Sequence, residues 1–113
     1  SDVAFNYYGE LNRVNSVPIE ITGATFTPTV GGIDLTWDEQ TPSETSDLRE
    51  FRITWHKSSE EHNTLVKHSI RQRDASSYTI ENLDSNTEYE VGITWIGYDG
   101  IESNIVTQIV TTL

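Results

Sequence analysis

The sequence contains no cysteine among its 113 residues. Disulfide bonds, thiolate zinc sites and thiol nucleophiles are therefore excluded, and the fold depends on side-chain packing alone. Long apolar runs are also missing, because no stretch approaches the roughly 20 apolar residues that a membrane helix needs. Membrane insertion is therefore not expected. The length suits one domain with one core, and the three Trp and five Tyr are expected to supply much of its packing.

Basic residues are scarce, since seven Lys and Arg stand against eighteen Asp and Glu, which gives a net charge of −11. Such a surface repels phosphate backbones and anionic lipid headgroups. Nucleic acid is therefore not an expected partner. Only the segment from Lys67 to Arg73 gathers basic residues. We interpret it as a solvated strand end rather than as a phosphate-binding patch.

Motifs of catalysis and of cofactor binding are also missing. The sequence has no Gly-x-Ser-x-Gly, no phosphate-binding loop and no His-Glu-x-x-His. Each of these motifs places a nucleophile, a backbone cradle or a pair of metal ligands where its chemistry needs them. We therefore expect a non-catalytic protein without a cofactor.

Two groups of side chains have the chemistry of metal ligands. The first is acidic and belongs to one long loop: Asp38, Glu39, Glu44, Asp47 and Glu50. Its spacing does not match a calcium-binding loop, and the Ser and Thr around it favour a solvated loop. The second group consists of His56, His62 and His68. These residues would have to converge to hold zinc, and surface positions are favoured for all of them. No metal site is predicted.

Apolar and polar residues alternate in several short segments, which is the pattern of half-buried strands. Two segments place these residues on one face each: Ile33, Leu35 and Trp37 in "GIDLTW", and Phe51, Ile53 and Trp55 in "FRITWHK". Similar alternation recurs in "SYTI" and "EYEVGITWIG", and a β-branched run closes the chain. Short alternating strands without a helical period predict an all-β, two-sheet antiparallel sandwich of about seven strands.

The segment "LDSNTEYEVGI" places Leu83 six residues before Tyr89, with a turn between them. Where a strand crosses between the sheets of a sandwich, a Tyr hydroxyl can hold the backbone upstream. We predict that Leu83 fills the core and that the Tyr89 hydroxyl satisfies a loop carbonyl. The predicted core residues are Trp37, Phe51, Ile53, Trp55, Leu83, Tyr89 and Val91.

In their order, these segments resemble a fibronectin type III domain. "LTWD" (35–38) is similar to the second strand of that family, and "DLREFRITWHKS" (47–58) is similar to the third. The stretch 76–103 is similar to the fifth strand, the Leu-to-Tyr corner and the sixth strand, and 105–113 is similar to the seventh. The usual corner Pro is replaced, and the cysteines of immunoglobulin domains are absent. The resemblance implies an immunoglobulin-like β-sandwich from about Gly23 to the C-terminus.

Residues 1–22 precede this domain-like part, residues 23–113. "NYYGELNRVNSVPIEITG" repeats the pattern of "IGYDGIESNIVTQIVTTL", with Tyr7–Gly9 matching Tyr98–Gly100. Internal repetition is a feature of domain arrays. Two interpretations remain open for residues 1–22: the last strand of a preceding repeat, or a linker or added strand on the edge of the domain.

The resemblance implies a non-catalytic structural or interaction module that acts as a spacer or docking domain. Its setting would be a larger extracellular, cell-surface or phage virion protein, with neighbouring repeat domains or a protein partner. One alternative is a carbohydrate-binding accessory module of a bacterial surface or carbohydrate-active protein. That alternative needs exposed rings for a glycan, whereas Trp55 and Trp95 are expected in the core.

A second alternative is an adhesion or receptor module that binds a protein through the 97–103 loop, "GYDGIES". Some adhesive relatives carry Arg-Gly-Asp in this place, and its absence means that integrin recognition is not implied. The candidate ligand residues of the loop are Tyr98, Asp99, Ile101 and Glu102, with Tyr98 and Ile101 as anchors. A hairpin turn at Asp99–Gly100 with local packing is the favoured interpretation of the same residues.

Overall fold

The computed structural model describes residues 20–39, 48–60, 65–72, 74–97 and 100–113. Within them the chain forms seven strands and no helix: β1 (Thr25–Thr29), β2 (Gly32–Thr36), β3 (Leu48–Lys57), β4 (Val66–Ile70), β5 (Ser77–Ile80), β6 (Glu88–Gly97) and β7 (Val106–Thr111). The predicted all-β sandwich is confirmed. The interpretation of residues 1–22 falls almost wholly outside the described residues.

The strands form two antiparallel sheets, one with the order β1-β2-β5 and one with the order β4-β3-β6-β7. In the four-stranded sheet Ile53 lies opposite Ile93 on one side and His68 on the other. Residues opposite each other share a face of the sheet. The face that carries Ile53 is therefore the inner face, and the residues between, such as Arg52 and Thr54, lie on the outer face.

The core lies between the sheets and is rich in aromatic and β-branched side chains. Five of the seven predicted core residues are buried: Trp37, Phe51, Ile53, Tyr89 and Val91. The other two, Trp55 and Leu83, are half-buried and pack against the core. Both lie at its margin, because Trp55 is next to the edge strand β4 and Leu83 follows the end of β5. The expected burial of Trp95 is met, with 1% of its surface exposed.

The corner between β5 and β6 is held by the Tyr89 hydroxyl, which accepts a hydrogen bond from the Asp84 N–H at 3.0 Å. The predicted partner was a carbonyl, and the direction of this bond is therefore the reverse. The physical reason is that the turn brings the Asp84 N–H to the hydroxyl, which therefore acts as the acceptor, while the Asp84 carbonyl accepts from the Thr112 hydroxyl. Asn86 turns the chain with φ of 50°, in the left-handed region that Asn tolerates better than most residues.

The end of β7 binds this corner and the end of β1, and we call Thr112 and Leu113 the C-terminal clamp. The Thr112 hydroxyl is buried and accepts from the Thr87 N–H at 3.0 Å. The Thr112 N–H donates to the Thr87 carbonyl at 3.0 Å, and the Leu113 N–H donates to the Thr29 carbonyl at 3.0 Å. The clamp therefore fixes the last residues of the chain to both sheets.

The described chain enters the sandwich at the other end of β1. Ile21 is buried in the core, and the Asp38 N–H donates to the Thr22 carbonyl at 3.0 Å. Packing thus begins at least two residues before Gly23, where the sequence resemblance starts. Entry beside Asp38 and exit beside Thr29 lie at opposite ends of β1, because Thr25 pairs with Thr36 at one end and Thr29 with Gly32 at the other.

Candidate functional site

The loop before β7 contains the predicted ligand residues, of which Tyr98 and Asp99 lie outside the described part of the chain. Its backbone closes on itself, because the Gly97 N–H donates to the Ile101 carbonyl at 3.0 Å. Ile101 is half-buried and Glu102 is exposed. Of the two described candidates, Glu102 therefore presents the more accessible side chain.

The base of this loop is anchored to β6 by Ser103, which is buried. The Ser103 hydroxyl accepts from the Trp95 N–H at 2.9 Å, and the Ser103 N–H donates to the Trp95 carbonyl at 2.8 Å. The same hydroxyl lies 3.2 Å from that of Thr94. These contacts give the loop a fixed attachment to the strand that precedes it.

Three rings line the margin of the core on the side of β4 and β5, and we call Trp55, Tyr78 and His68 the ring row. The imidazole of His68 stacks on Tyr78 with 4.5 Å between centroids and 21° between planes. Trp55 lies 6.5 Å from Tyr78 at 29°. His68 is exposed, and the other two rings are half-buried. The expectation that Trp55 is a core residue is therefore met only in part.

At the start of β3 the Glu50 carboxylate is buried, with 3% of the residue exposed. The Ser69 hydroxyl donates to its Oε2 at 2.7 Å, and Arg52 Nη2 does so at 3.3 Å. The Ser69 bond lowers the pKa of Glu50 below its ordinary value of 4.5; burial opposes this, and Arg52 and Arg49 add to the lowering. The residue predicted in a solvated acidic loop is thus a paired structural carboxylate.

The cations around Glu50 extend along β4, the edge strand of the four-stranded sheet. Arg71 Nη2 is 3.9 Å from Glu50 Oε1, and 78% of the Arg71 side chain is exposed. Lys67 is exposed and lies opposite Thr54 on the outer face. We call Val66–Ile70 with Arg71 the β4 edge. These are the cations that the sequence predicts to form a solvated strand end.

His56 is buried, which corrects the expectation of a surface position. Its Nδ1 donates to the Lys57 carbonyl at 2.8 Å, and its Nε2 lies 3.1 Å from Glu90 Oε1. His68 is on the inner face of β4, and His62 lies outside the described residues. In the described ranges no three His, Asp or Glu side chains gather as a metal-binding group.

A shallow groove of about 230 Å³ runs over the outer face of the four-stranded sheet. Gly92 at its centre has no side chain, and its flanks carry Arg52, Lys67, Glu102 and Ile105. Ile105 is 58% exposed. The groove therefore combines charged walls with an apolar end.

No helix in the described part of the chain is long and apolar enough to span a membrane.

Comparison with known proteins identifies the fold family. The family model described as "Fibronectin type III domain" matches residues 19–109. The chain belongs to the fibronectin type III family. Domains of this family are generally non-catalytic modules of larger proteins that serve interaction or spacing.

Solved structures with the same fold include domains from animal proteins. A two-domain segment of chicken tenascin has a TM-score of 0.69 at 19% identity, covering 84% of this chain and 50% of that chain. The type III domain of the human collagen alpha-1(XX) chain has a TM-score of 0.69 at 17% identity, covering 88% of this chain and 90% of that chain. For the chicken CNTN1 FN1–FN3 domains the TM-score is 0.65 at 15% identity, covering 84% and 33%. At these identities the similarity shows the fold alone.

Two features of the type III domain were not found from the sequence. The burial of His56 depends on Glu90 in β6, which is 34 positions away. The cation cluster depends on Ser69 in β4 reaching Glu50 in β3, 19 positions away. Alternation alone assigns Arg52 to the polar face of β3, and only the register between β3 and β4 brings Lys67 to the same face.

Proposed function

We propose that this type III domain is a non-catalytic structural module that spaces and orients its neighbours within a larger protein. The observation that supports this is the position of the two ends of the described chain. Thr22 is bonded to Asp38, and Leu113 is bonded to Thr29. Because a strand rises about 3.3 Å per residue, these attachment points are roughly 20 Å apart along β1. A rigid body between them would transmit position and orientation from one end to the other.

The setting that we propose is an extracellular, cell-surface or virion protein. Type III domains commonly occur in extracellular proteins, in tandem arrays, and in protein interactions. Residues 1–22 would then be a linker or the last strand of a preceding repeat. Docking of a protein on the 97–103 loop is compatible with this role, because Glu102 is exposed and Ser103 anchors the loop base.

The spacer role is tested by the distance between the two ends. The absence of native cysteine lets spin labels be attached at Glu20→Cys and Leu113→Cys without further changes. A spacer predicts one narrow distance distribution by pulsed electron paramagnetic resonance, which broadens only in concentrated urea. A broad distribution under native conditions would contradict a fixed spacing. The single-label proteins, unfolded in urea alongside the parent, control for damage by the labels.

A second candidate function is glycan binding, and the ring row is the observation that favours it. Stacking on a sugar needs an accessible ring face, and His68 and Tyr78 lie at the margin of the sandwich. A glycan array with the parent domain, His68→Ala and Tyr98→Ala tests this. A saturable signal lost in His68→Ala alone would support the ring row, whereas loss in Tyr98→Ala alone would support the loop. No signal from the folded domain would count against both.

A further inference from the structure

We propose that the β4 edge binds an extended acidic segment of a partner protein, which adds to the four-stranded sheet as a fifth strand. This goes beyond a spacer role and does not depend on it, because the edge lies along the side of the sandwich. Three properties of the edge favour such binding, namely its backbone, its charge and the alternation of its side chains.

The backbone of the edge lies at one border of the four-stranded sheet. In the sheet order β4-β3-β6-β7, strand β4 has β3 on one side and no second neighbour among the described residues. All but the last of its residues are exposed, and Val66 is 46% exposed. An edge strand of this kind presents unpaired N–H and C=O groups that can pair with another extended chain.

The charge of the edge is opposite to that of the whole molecule. The protein carries a net charge of −11, whereas β4 contains Lys67 and no acidic residue, and Arg71 follows it. The distance from a Glu50 carboxylate oxygen to Nη2 is 3.3 Å for Arg52 and 3.9 Å for the exposed Arg71. Glu50 is therefore paired more closely with Arg52 than with Arg71. Glu50 faces Arg49, Arg52 and Arg71, and Glu102 lines the same groove as Lys67. Four cations thus face two carboxylates, so that the edge keeps an excess of positive charge. Complementary charge is what steers and orients a partner.

The alternation of side chains specifies what the partner segment contains. Lys67, Ser69 and Arg71 lie on the outer face, as the pairing of Lys67 with Thr54 and the contacts of Ser69 and Arg71 with Glu50 require. Val66, His68 and Ile70 lie on the inner face. Opposite residues of paired strands contact each other on one face. A matching strand therefore alternates acidic residues with apolar residues.

A second copy of this chain is a poorer occupant of the same edge. If two β4 edges paired with each other, Lys67 and Arg71 of each copy would approach cations of the other, and opposed like charges destabilise a sheet. Edge lysines are known to prevent such self-pairing. The same cations that exclude a copy of the edge attract an acidic strand.

The test is a titration of the ¹⁵N-labelled 113-residue protein with a short capped peptide of alternating Glu and Val. We expect saturable shifts of the β4 amide signals, and binding that weakens as NaCl is raised. Two probes serve as controls: a Lys-Val peptide of equal length, and the Glu-Val peptide N-methylated at every residue. Neither is expected to bind, the first because of its charge and the second because it cannot pair through its backbone.

The variant Lys67→Gln with Arg71→Gln should bind the peptide about fivefold or more weakly, since two exposed charge contacts are lost. The matched control is Asn104→Asp with Gln108→Glu, which changes the net charge equally at exposed positions on the β7 side. It should bind within about twofold of the parent, because β7 lies at the opposite edge of the sheet from β4 and salt screens charges at that distance from the peptide.

The proposal is overturned if the shifts map to β7 or to the 97–103 loop, or if no shifts occur. Equal loss in both double variants would overturn it as well, because the effect would then come from net charge. Binding of the N-methylated peptide, or of a sulfated polysaccharide in place of the peptide, would show a charged patch without strand addition. Concentration-dependent self-association through β4 would identify a second copy as the occupant.

Discussion

The hydroxyl of Tyr89 provides the acceptor for the Asp84 N–H at the turn between the two sheets. Replacement of Tyr89 by Phe keeps the buried ring and removes this acceptor. We expect Tyr89→Phe to lower the free energy of unfolding by about 1 kcal/mol, the cost of an amide without its intramolecular partner. Urea unfolding followed by Trp fluorescence measures the change. Tyr78→Phe, which removes a hydroxyl that is not part of the corner, is the control and should change less.

A second single residue, Glu50, makes the free energy of unfolding depend on pH. Its pKa is lowered in the folded state from 4.5, so the carboxylate stabilises the fold above the pKa of the unfolded chain. This contribution is lost as the pH falls below about 4.5 and through the folded pKa. Glu50→Gln should therefore lower the free energy of unfolding at pH 7 by about 1–3 kcal/mol, as expected when charged hydrogen bonds are lost.

The pH dependence is checked by urea unfolding of the parent and Glu50→Gln at neutral pH and again below the pKa of the folded carboxyl. The difference between the two proteins should shrink at the acidic end. A difference that is unchanged by pH would show that Glu50 acts through packing instead. The exposed Glu88→Gln is the matched control and should leave the stability nearly unchanged at both pH values.

At the scale of elements, the C-terminal clamp joins β7 to the corner. Thr112→Val keeps the shape of the side chain but leaves the Thr87 N–H and the Asp84 carbonyl without their partner. We expect a loss of about 2–3 kcal/mol in the free energy of unfolding, because two polar groups lose a hydrogen bond. Thr111→Val, at the neighbouring exposed position, should have little effect. Equal losses in the two variants would contradict the clamp.

The β1–β2 hairpin requires glycine at residue 32, the first residue of β2. A Cβ on Gly32 would lie 2.5 Å from the Ile80 carbonyl oxygen, which is backbone and cannot turn away. Gly32→Ala should therefore destabilise the fold by about 1–3 kcal/mol through overpacking between β2 and β5. Thermal unfolding provides the comparison with Val30→Ala in the adjacent turn, where 82% of Val30 is exposed. The hairpin model is contradicted if Gly32→Ala is as stable as Val30→Ala.

The sequence alone was sufficient to predict those elements that depend on residues close to each other along the chain. Alternation within β2 and β3 identified their buried faces, and the six-residue spacing from Leu83 to Tyr89 identified the corner. It was not sufficient where a residue's environment depends on another strand. His56 and Glu50 are polar by type, and only the pairing of β3 with β6 and β4 shows that each is buried beside a partner. The alternation likewise did not show which backbone group of the turn faces the Tyr89 hydroxyl, and the structure shows that it is the Asp84 N–H.

In the whole molecule, the chain enters the sandwich beside one end of β1 and leaves it beside the other end. It is fixed to the sandwich at both places. Ile21 is buried at the entry, and the clamp bonds the exit to Thr29. We expect load applied between these points to break the packing of the core before the chain extends. The side of the sandwich, with the β4 edge and the outer-face groove, stays free of this path. Spacing and lateral docking are therefore compatible in one domain.

Pulling single molecules by residues 20 and 113 shows directly whether this domain is a rigid spacer between its two ends. We predict one cooperative rupture that releases about 300 Å of chain, at about 3.4 Å per residue, and a lower rupture force for Thr112→Val than for Thr111→Val. Gradual extension without a rupture, or a rupture force that Thr112→Val does not lower, would contradict the account.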